Sequence, residues 1–425
     1  MIPTNKQPYP LPVGWQWTKI GLWANILRGV SYKKNDVHHA KQDGDCLILR
    51  GGNISEGNID TTADNNVYVS KDFVAESQLV KQNDIILVAS TGSKKVIGRA
   101  GISNQNYSDT SFGTFLLLVR PLTTLNPRYM DYFFQSEFYR NLIRNLAKGT
   151  NINNIRTEYV TEMPFPLPPL DEQQRIVALL DELFADLDEA KALAQAVVDG
   201  SKLRRAAILH KAFTGELSQL WRDEHGTTLG DWQWGTLNSV AECLDNLRSP
   251  VNAAERAKRP GKIPYYGATG QVGWIDDFLT DEQLVLLGED GAPFLDMFKD
   301  KAYIIEGKAW VNNHAHILRS RFGNVGNKFL CHYLNVFDFS SYVNGTTRLK
   351  LTQAKMKTIP IPLPPPEEQE EIVRLLDDLL YREQRTKDHT LKTLDCVELM
   401  KKSILARAFR GELSINQIIR GRTTH

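Results

Sequence analysis

The amino-acid sequence predicts an α+β protein: two pseudo-symmetric domains of mixed α and β structure, joined by two long antiparallel coiled-coil helices. Three observations carry this reading. A 56-residue stretch occurs twice: Met163–Ser218 and Ile359–Ser414 align without a gap at a constant offset of 196 residues and share 24 identities. Each copy begins with a proline ladder that runs into a long apolar-patterned segment. Each copy also follows a globular segment that opens alike, with Leu11-Pro-Val-Gly-Trp-Gln-Trp17 and Leu229-Gly-Asp-Trp-Gln-Trp234. Two copies at so long a period do not make a solenoid, so the pattern is that of a duplicated half-protein. The expected order is a first domain over 1–162, a connector with its long helix over 163–222, a second domain over 223–358, and a second connector with helix and tail over 359–425.

In the first domain, short apolar runs alternate with turn residues. Cys46-Leu-Ile-Leu49 precedes Arg50-Gly-Gly-Asn53, Asp84–Ser90 precedes Thr91-Gly-Ser-Lys-Lys95, and Phe115–Val119 ends at Arg120-Pro121. These read as strands closed by turns. Residues 127–146 carry Tyr129, Phe133, Phe134, Phe138 and Leu142 near helical spacing, which predicts one helix; a polar loop, 148–154, follows. The second domain repeats the plan. Leu284–Leu287 precedes Gly288-Glu-Asp-Gly291, Ala302–Ile305 precedes Glu306-Gly307, and a helix near 327–342 precedes Asn344-Gly-Thr-Thr-Arg348.

Each ladder (Pro164, Pro166, Pro168 and Pro169; Pro360, Pro362 and Pro364–Pro366) predicts a stiff extended connector, because proline fixes φ and donates no hydrogen bond. Acidic residues then open each helix, where the helix dipole favours them. Ile176, Leu180, Leu183, Leu187, Ala190, Ala194 and Val197 step alternately by four and three, a coiled-coil seam whose phase slips near Gly200. The second seam (Ile372, Leu376, Leu379, Leu391, Leu394, Ile404, Ala408) is interrupted by polar residues. Both helices are acidic in front and basic behind, so only antiparallel pairing sets Asp171–Glu189 against Lys401–Arg410, and Glu367–Asp378 against Lys202–Lys211.

Composition sets the outer limits. Apolar residues make up 42% and aromatics 9% of 425 residues, ordinary for a globular protein. No apolar run approaches the ~18 residues of a membrane span, and the N-terminus lacks a signal-peptide core. Four scattered cysteines without a CxxC suggest free thiols and a cytoplasmic location. The net charge of +1 does not announce a nucleic-acid binder. Residues 1–162 carry 18 basic against 14 acidic side chains and residues 223–358 carry 15 against 16, so DNA binding would need local patches.

No catalytic signature stands out. There is no GxxxxGK[ST] phosphate loop and no Asn/Asp-Pro-Pro-aromatic motif of amino-methyltransferases. Glu306-Gly-Lys308 downstream of Asp290 or Asp300 matches a nuclease spacing only loosely. His314 and His316 would share one face of a strand with no third ligand placed, which favours a structural or DNA-facing pair over a metal site.

Two similar domains without a catalytic centre suggest a ruler for duplex DNA, where sites recur at fixed separations. Pro166-Leu-Pro-Pro-Leu-Asp-Glu-Gln-Gln-Arg-Ile-Val177, its echo at 362–373, and the closing Ala212-Phe-Thr-Gly-Glu-Leu217 and Ala408-Phe-Arg-Gly-Glu-Leu413 resemble type I restriction–modification specificity subunits over essentially the whole chain. The resemblance implies two target-recognition domains, each reading one half of a bipartite asymmetric site, with the coiled coil setting the unread spacer. It implies no enzymatic activity in the chain alone. The implied partners are double-stranded DNA, two modification (methyltransferase) subunits and two restriction (translocase/nuclease) subunits. S-adenosylmethionine, ATP and Mg²⁺ would serve that holoenzyme, with no cofactor or metal in this chain.

By position in the matching loops, the expected DNA contacts of the first domain are Arg50, Asn53, Ser90, Thr91, Ser93, Lys94, Lys95, Lys148, Thr150, Asn151 and Asn153. Those of the second are Tyr265, Tyr266, Thr269, Glu289, Asp290, Asn312, Asn313, His314, Thr346, Thr347 and Arg348. Lysine, arginine and small residues at strand ends suit phosphates; asparagine suits adenine, arginine guanine and glutamate cytosine. Each could equally be an ordinary solvated turn. Arg256-Ala-Lys-Arg259 with Lys262 reads as a phosphate clamp in preference to a solvated loop. Two other readings stay open: the specificity subunit of a methylation-only system, and a coiled-coil scaffold with two protein- or glycan-binding domains.

Overall fold

The computed structural model describes residues 7–147 and 153–413. The chain divides into two compact units, one of residues 1–192 with 394–425 and one of residues 193–393. The first unit is built on an antiparallel four-stranded sheet in the order Ala24–Arg28, Leu116–Pro121, Ile85–Val88, Ala100–Ile102. Its central strands are apolar without alternation because both faces are covered. Ile85, Leu87, Leu117 and Val119 face one core with the helices. Ile86, Val88, Leu116 and Leu118 face a second core beneath a three-stranded sheet. In that second sheet Thr110–Phe112 runs parallel to Asp45–Leu49, which pairs antiparallel with Val67–Ser70.

The second unit repeats this topology. Its main sheet runs Ala241–Cys243, Ala315–Ser320, Leu284–Gly288, Ala302–Ile305, all antiparallel. Its smaller sheet again has one parallel pair, Ile263–Gly267 with Lys308–Val311, and an antiparallel partner, Gly270–Ile275, and adds a fourth strand, Thr280–Asp281, antiparallel to Lys308–Val311.

Three expectations change. Residues 127–146 form two helices, Pro127–Gln135 and Glu137–Leu146. Between them Ser136 is extended (φ −69°, ψ 146°), and its hydroxyl donates to Phe133 O and accepts from Tyr139 N. Apolar spacing does not register such a cap, worth ~1 kcal/mol. The corresponding helix of the second unit is Gly323–Val336, beginning and ending earlier than the apolar pattern suggests. The ladders are not free connectors: Pro164–Leu167 pairs antiparallel with Gln16–Lys19, and Pro360–Leu363 with Gln233–Thr236. A two-stranded ribbon tolerates proline because each strand has a free edge. Each ladder therefore ties the end of its domain to the beginning.

The long helices are unbroken, Leu170–Phe213 and Pro366–Arg410. Where they meet in the first unit they are antiparallel. Ile176 and Leu180 share a core with Leu405, Ala408 and Phe409, Lys191 pairs with Glu398 at 2.6 Å, and Asp188 pairs with Lys401. In the second unit Leu209 and Ala212 pack with Ile372, Val373 and Leu376, and Arg204 meets Glu383 at 2.9 Å. Asp188 with Lys401 and Arg204 with Glu383 follow the expected acid-against-base order, whereas Lys191 with Glu398 carries the charges the other way round. Beside the slip at Gly200, Arg204 folds back so that its Nη2 donates to Val197 O, and its Nη1 would lie 2.6 Å from a Cβ at that glycine. Ala190 and Leu391, expected in the seams, are exposed. No helix among the described residues is long and apolar enough to cross a membrane.

Candidate nucleic-acid interface

In the second unit four loops converge at the ends of the central strands, and backbone bonds set their order. Asn312 N donates to Tyr266 O at 3.1 Å, Glu289 N to His314 O at 2.8 Å, Gly291 N to Leu349 O at 3.1 Å and Leu351 N to Glu289 O at 2.7 Å. A bridge joins Asp290 to Lys350. The hairpin turn at 267–270, the 288–291 loop, the 312–314 turn and the 344–350 loop thus form one surface. Thr269, Asn313, Thr346, Thr347 and Arg348 are exposed on it, and Tyr266 is half-buried.

Charge organises this surface. Lys350 Nζ lies 3.1 Å from one Glu289 oxygen and Arg248 pairs with the other. Asp290 Oδ1 accepts from Arg348 Nη2 at 2.9 Å and lies 2.7 Å from Nδ1 of His314. Burial raises the affinity of Glu289 for a proton, but bonds from Arg248 and Lys350 outweigh it and hold the carboxyl below its ordinary range. Asp245 is likewise held low against its burial, by His316, the Ile317 amide and Arg248. Both Glu289 oxygens are thus engaged by cations, which the carboxylate holds in place. Arg348 and Lys350, with more than half of each side chain exposed, carry the outward charge.

His314 and His316 do not share a strand face. His314 lies in the turn, whereas His316 is on the strand, buried beside Asp245 and Glu289. These last three residues bring ligand-type atoms within 4.8 Å of one another, a grouping the sequence did not suggest. Within the protein these three side chains already have partners. His316 Nε2 faces Leu351 O at 3.0 Å, and Nδ1 faces Asp245 Oδ2 at 2.7 Å. Both nitrogens lie against oxygen atoms of the protein, and Arg248 and Lys350 already pair with Glu289.

Two further residues change role. Tyr265 is buried, its hydroxyl bonded to Val251 N and O, so it is floor and not contact surface. Asn312 is buried and its side chain accepts from His314 N at 2.8 Å, shaping the turn. In the basic run, Arg256 lies over the Tyr265 ring at 4.5 Å, and Arg259 over Trp310 at 4.7 Å with an ion pair to Asp276. Those two arginines brace the small sheet, and Lys258 and Lys262 remain exposed.

The first unit has the same wiring. Gly113 N donates to Leu49 O at 3.0 Å, Ala89 N to Phe115 O at 2.8 Å and Ile155 N to Ala89 O at 2.7 Å. Ser90–Thr91 pairs with Asn153–Asn154. Ala89 and Ser90 thus stand where Glu289 and Asp290 stand, Phe115 where His314 stands, and Asn154 where Lys350 stands. Ser93, Lys94, Lys95 and Arg50 are exposed around this surface, and Ser90 and Thr91 are half-buried in it. The loop with the two lysines is anchored by buried Arg140, which donates to the carbonyls of Lys95 and Ile97 at 2.6 and 2.9 Å. Asn53 and Asn153 are buried. Asn53 bonds Arg50 N, Asp60 O and Asn66, and Asn153 donates to Thr91 O, so both hold loops together. Lys148, Thr150 and Asn151 lie outside the described residues.

Arg248, Lys350, Arg140 and Phe115 were missed from sequence. Lys350 was within reach, since it aligns with Asn154 at the repeat offset. Arg248 and Arg140 carry no local signal, because their partners are distant in the chain.

Two copies of one mixed α/β domain thus each present a cluster of loops at the same strand ends. The model of the type I restriction modification DNA specificity domain matches residues 12–196 and 230–394, and the chain belongs to that family. It is 30% identical to the StySPI specificity subunit of Salmonella potsdam and 29% identical to the EcoKI specificity subunit of Escherichia coli K12; each match covers 95% of this chain and 90% of the relative. Among solved structures it resembles the HsdS subunit from Thermoanaerobacter tengcongensis (TM-score 0.62, 20% identity, 96% of this chain and all of that one). It also resembles a chain from work on complex assembly and conformational transition of the type I R-M system (TM-score 0.71, 20% identity, 96% and 100%).

Proposed function

We propose that this chain is the non-catalytic DNA-specificity subunit of a type I restriction–modification enzyme, reading a bipartite asymmetric duplex site. Residues 1–162 read one half and residues 223–358 the other, and the paired long helices set the unread spacer. Modification subunits, two per chain, use the bound site for methylation, and two restriction subunits complete the nuclease. The observation that carries the reading is the repeated wiring of the two loop clusters, which puts different side chains on one backbone frame: Ser90, Thr91, Lys94 and Lys95 in one copy, Asp290, His314, Arg348 and Lys350 in the other. A shared frame with divergent side chains is what two unlike half-sites require, and the names of the relatives support the same role.

The test is domain exchange. With residues 1–162 replaced by the corresponding domain of a relative and the methyltransferase partner present, genome-wide methylation mapping is expected to show one half-site changed, with the other half-site and the spacer retained. A change in both halves, or no sequence-dependent binding by the wild-type complex at moderate salt, would overturn the reading.

A further inference from the structure

We infer that Phe115 reads a thymine in the half-site of the first domain, by packing against the 5-methyl group of that base. The inference rests on the DNA-specificity reading above. Phe115 is 66% exposed although it lies at the centre of the loop cluster. Its carbonyl accepts from Ala89 N at 2.8 Å and Ser90 N at 3.0 Å, so the ring is anchored to the loop that carries Ser90 and Thr91. It borders a cavity of about 480 Å³ walled by Tyr32, Leu49, Arg50, Asn53 and Leu116. Thr114 and Asn65 also line it, and two of its polar side chains are engaged within the protein. Asn53 Oδ1 accepts from Arg50 N, its Nδ2 donates to Asp60 O and Asn66 Oδ1, and Arg50 Nη2 donates to Asn65 O.

The exposed group that Phe115 itself offers a ligand is an apolar ring. The edges of B-form DNA present one apolar group, the thymine methyl in the major groove. The second domain places His314 at the equivalent position, held at 2.7 Å by Asp290. The two half-sites are thus met at this position by rings of opposite character, one apolar and one hydrogen-bonding.

The experiment uses the full chain with its methyltransferase partner and duplexes carrying the mapped site, in which each thymine of the first domain's half-site is replaced singly by deoxyuridine. Losing one buried methyl is expected to weaken wild-type binding about four-fold at one position. In Phe115→Ala that thymine-to-uracil difference should vanish; Phe115→Leu, which keeps an apolar side chain, should retain part of it. Undiminished discrimination of the second half-site reports that the variants are folded. The inference is overturned if no thymine of the half-site shows the difference, or if Phe115→Ala keeps it in full. Equal binding of scrambled and mapped duplexes by the wild type would instead sink the DNA-specificity reading, and this inference with it.

Discussion

Glu172 and Glu368 occupy the same position in the two copies of the repeat, yet the structure assigns them very different energies. Glu172 is partly exposed and pairs with Arg175 one turn away. Glu368 is fully buried: one oxygen accepts from Ser218 Oγ at 2.7 Å and Arg222 Nη1 at 2.6 Å, the other from Trp232 Nε1 at 2.8 Å. Arg222 also donates to Gly215 O. This carboxylate clamps the 215–232 segment to the start of the second long helix. Glu368→Ala removes three hydrogen bonds and leaves the Arg222 charge buried and unpaired, which costs about 3–5 kcal/mol. Glu172→Ala removes an exposed pair and costs below ~0.5 kcal/mol. Because two compact units need not unfold together, the assay is native-state hydrogen exchange of the 215–232 amides, whose opening free energy should fall by that amount in Glu368→Ala alone. Replacing Arg222 and Glu368 together by Met and Leu should recover most of the loss, since the stranded charge is gone. A cost under ~1 kcal/mol for Glu368→Ala, or an equal cost for Glu172→Ala, would refute the reasoning.

Three further outcomes are expected. Asp245 and Glu289 are held below their ordinary values of 3.8 and 4.5 in the folded state, so the unfolded chain takes up protons first as pH falls. Their contribution is present above about pH 4.5 and is lost as pH drops through the lower folded values, so exchange protection of the 284–320 strands should decline below pH 4.5 and be flat from 5 to 7; a decline already complete at pH 6 would contradict this. Arg348→Ala, measured by DNA binding with the methyltransferase partner, should cost about 1–3 kcal/mol, with relaxed specificity at one position if the contact is a base; unchanged affinity would remove Arg348 from the interface. Cys396 is exposed, whereas burial pushes the thiols of Cys46 and Cys331 up to about 11 and 12. A thiol reagent at pH 8 should therefore modify Cys396 first and reach Cys46 and Cys331 only on unfolding.

The sequence by itself determined the duplication, the two long helices and their antiparallel sense. Those depend on periodicity and on charge order along the chain, which Asp188 with Lys401 and Arg204 with Glu383 then express in contacts. It also located the loops at the strand ends, because a strand buried on both faces reads as an unbroken apolar run and the turn after it does not. Tertiary structure alone decided which partners each loop side chain meets. Glu289 and Asn53 look like base readers in sequence, but in the fold Glu289 pairs with Arg248 and Lys350, and the Asn53 amide bonds Arg50, Asp60 and Asn66. It also decided that Phe115 and His314 are counterparts. Their side chains share nothing; the equivalence lies in two backbone amides, Ala89 and Glu289, bonding to the same place in two diverged copies. Backbone hydrogen bonds are common to all residue types, so sequence comparison does not see them, whereas the fold preserves them while the side chains they present are free to change.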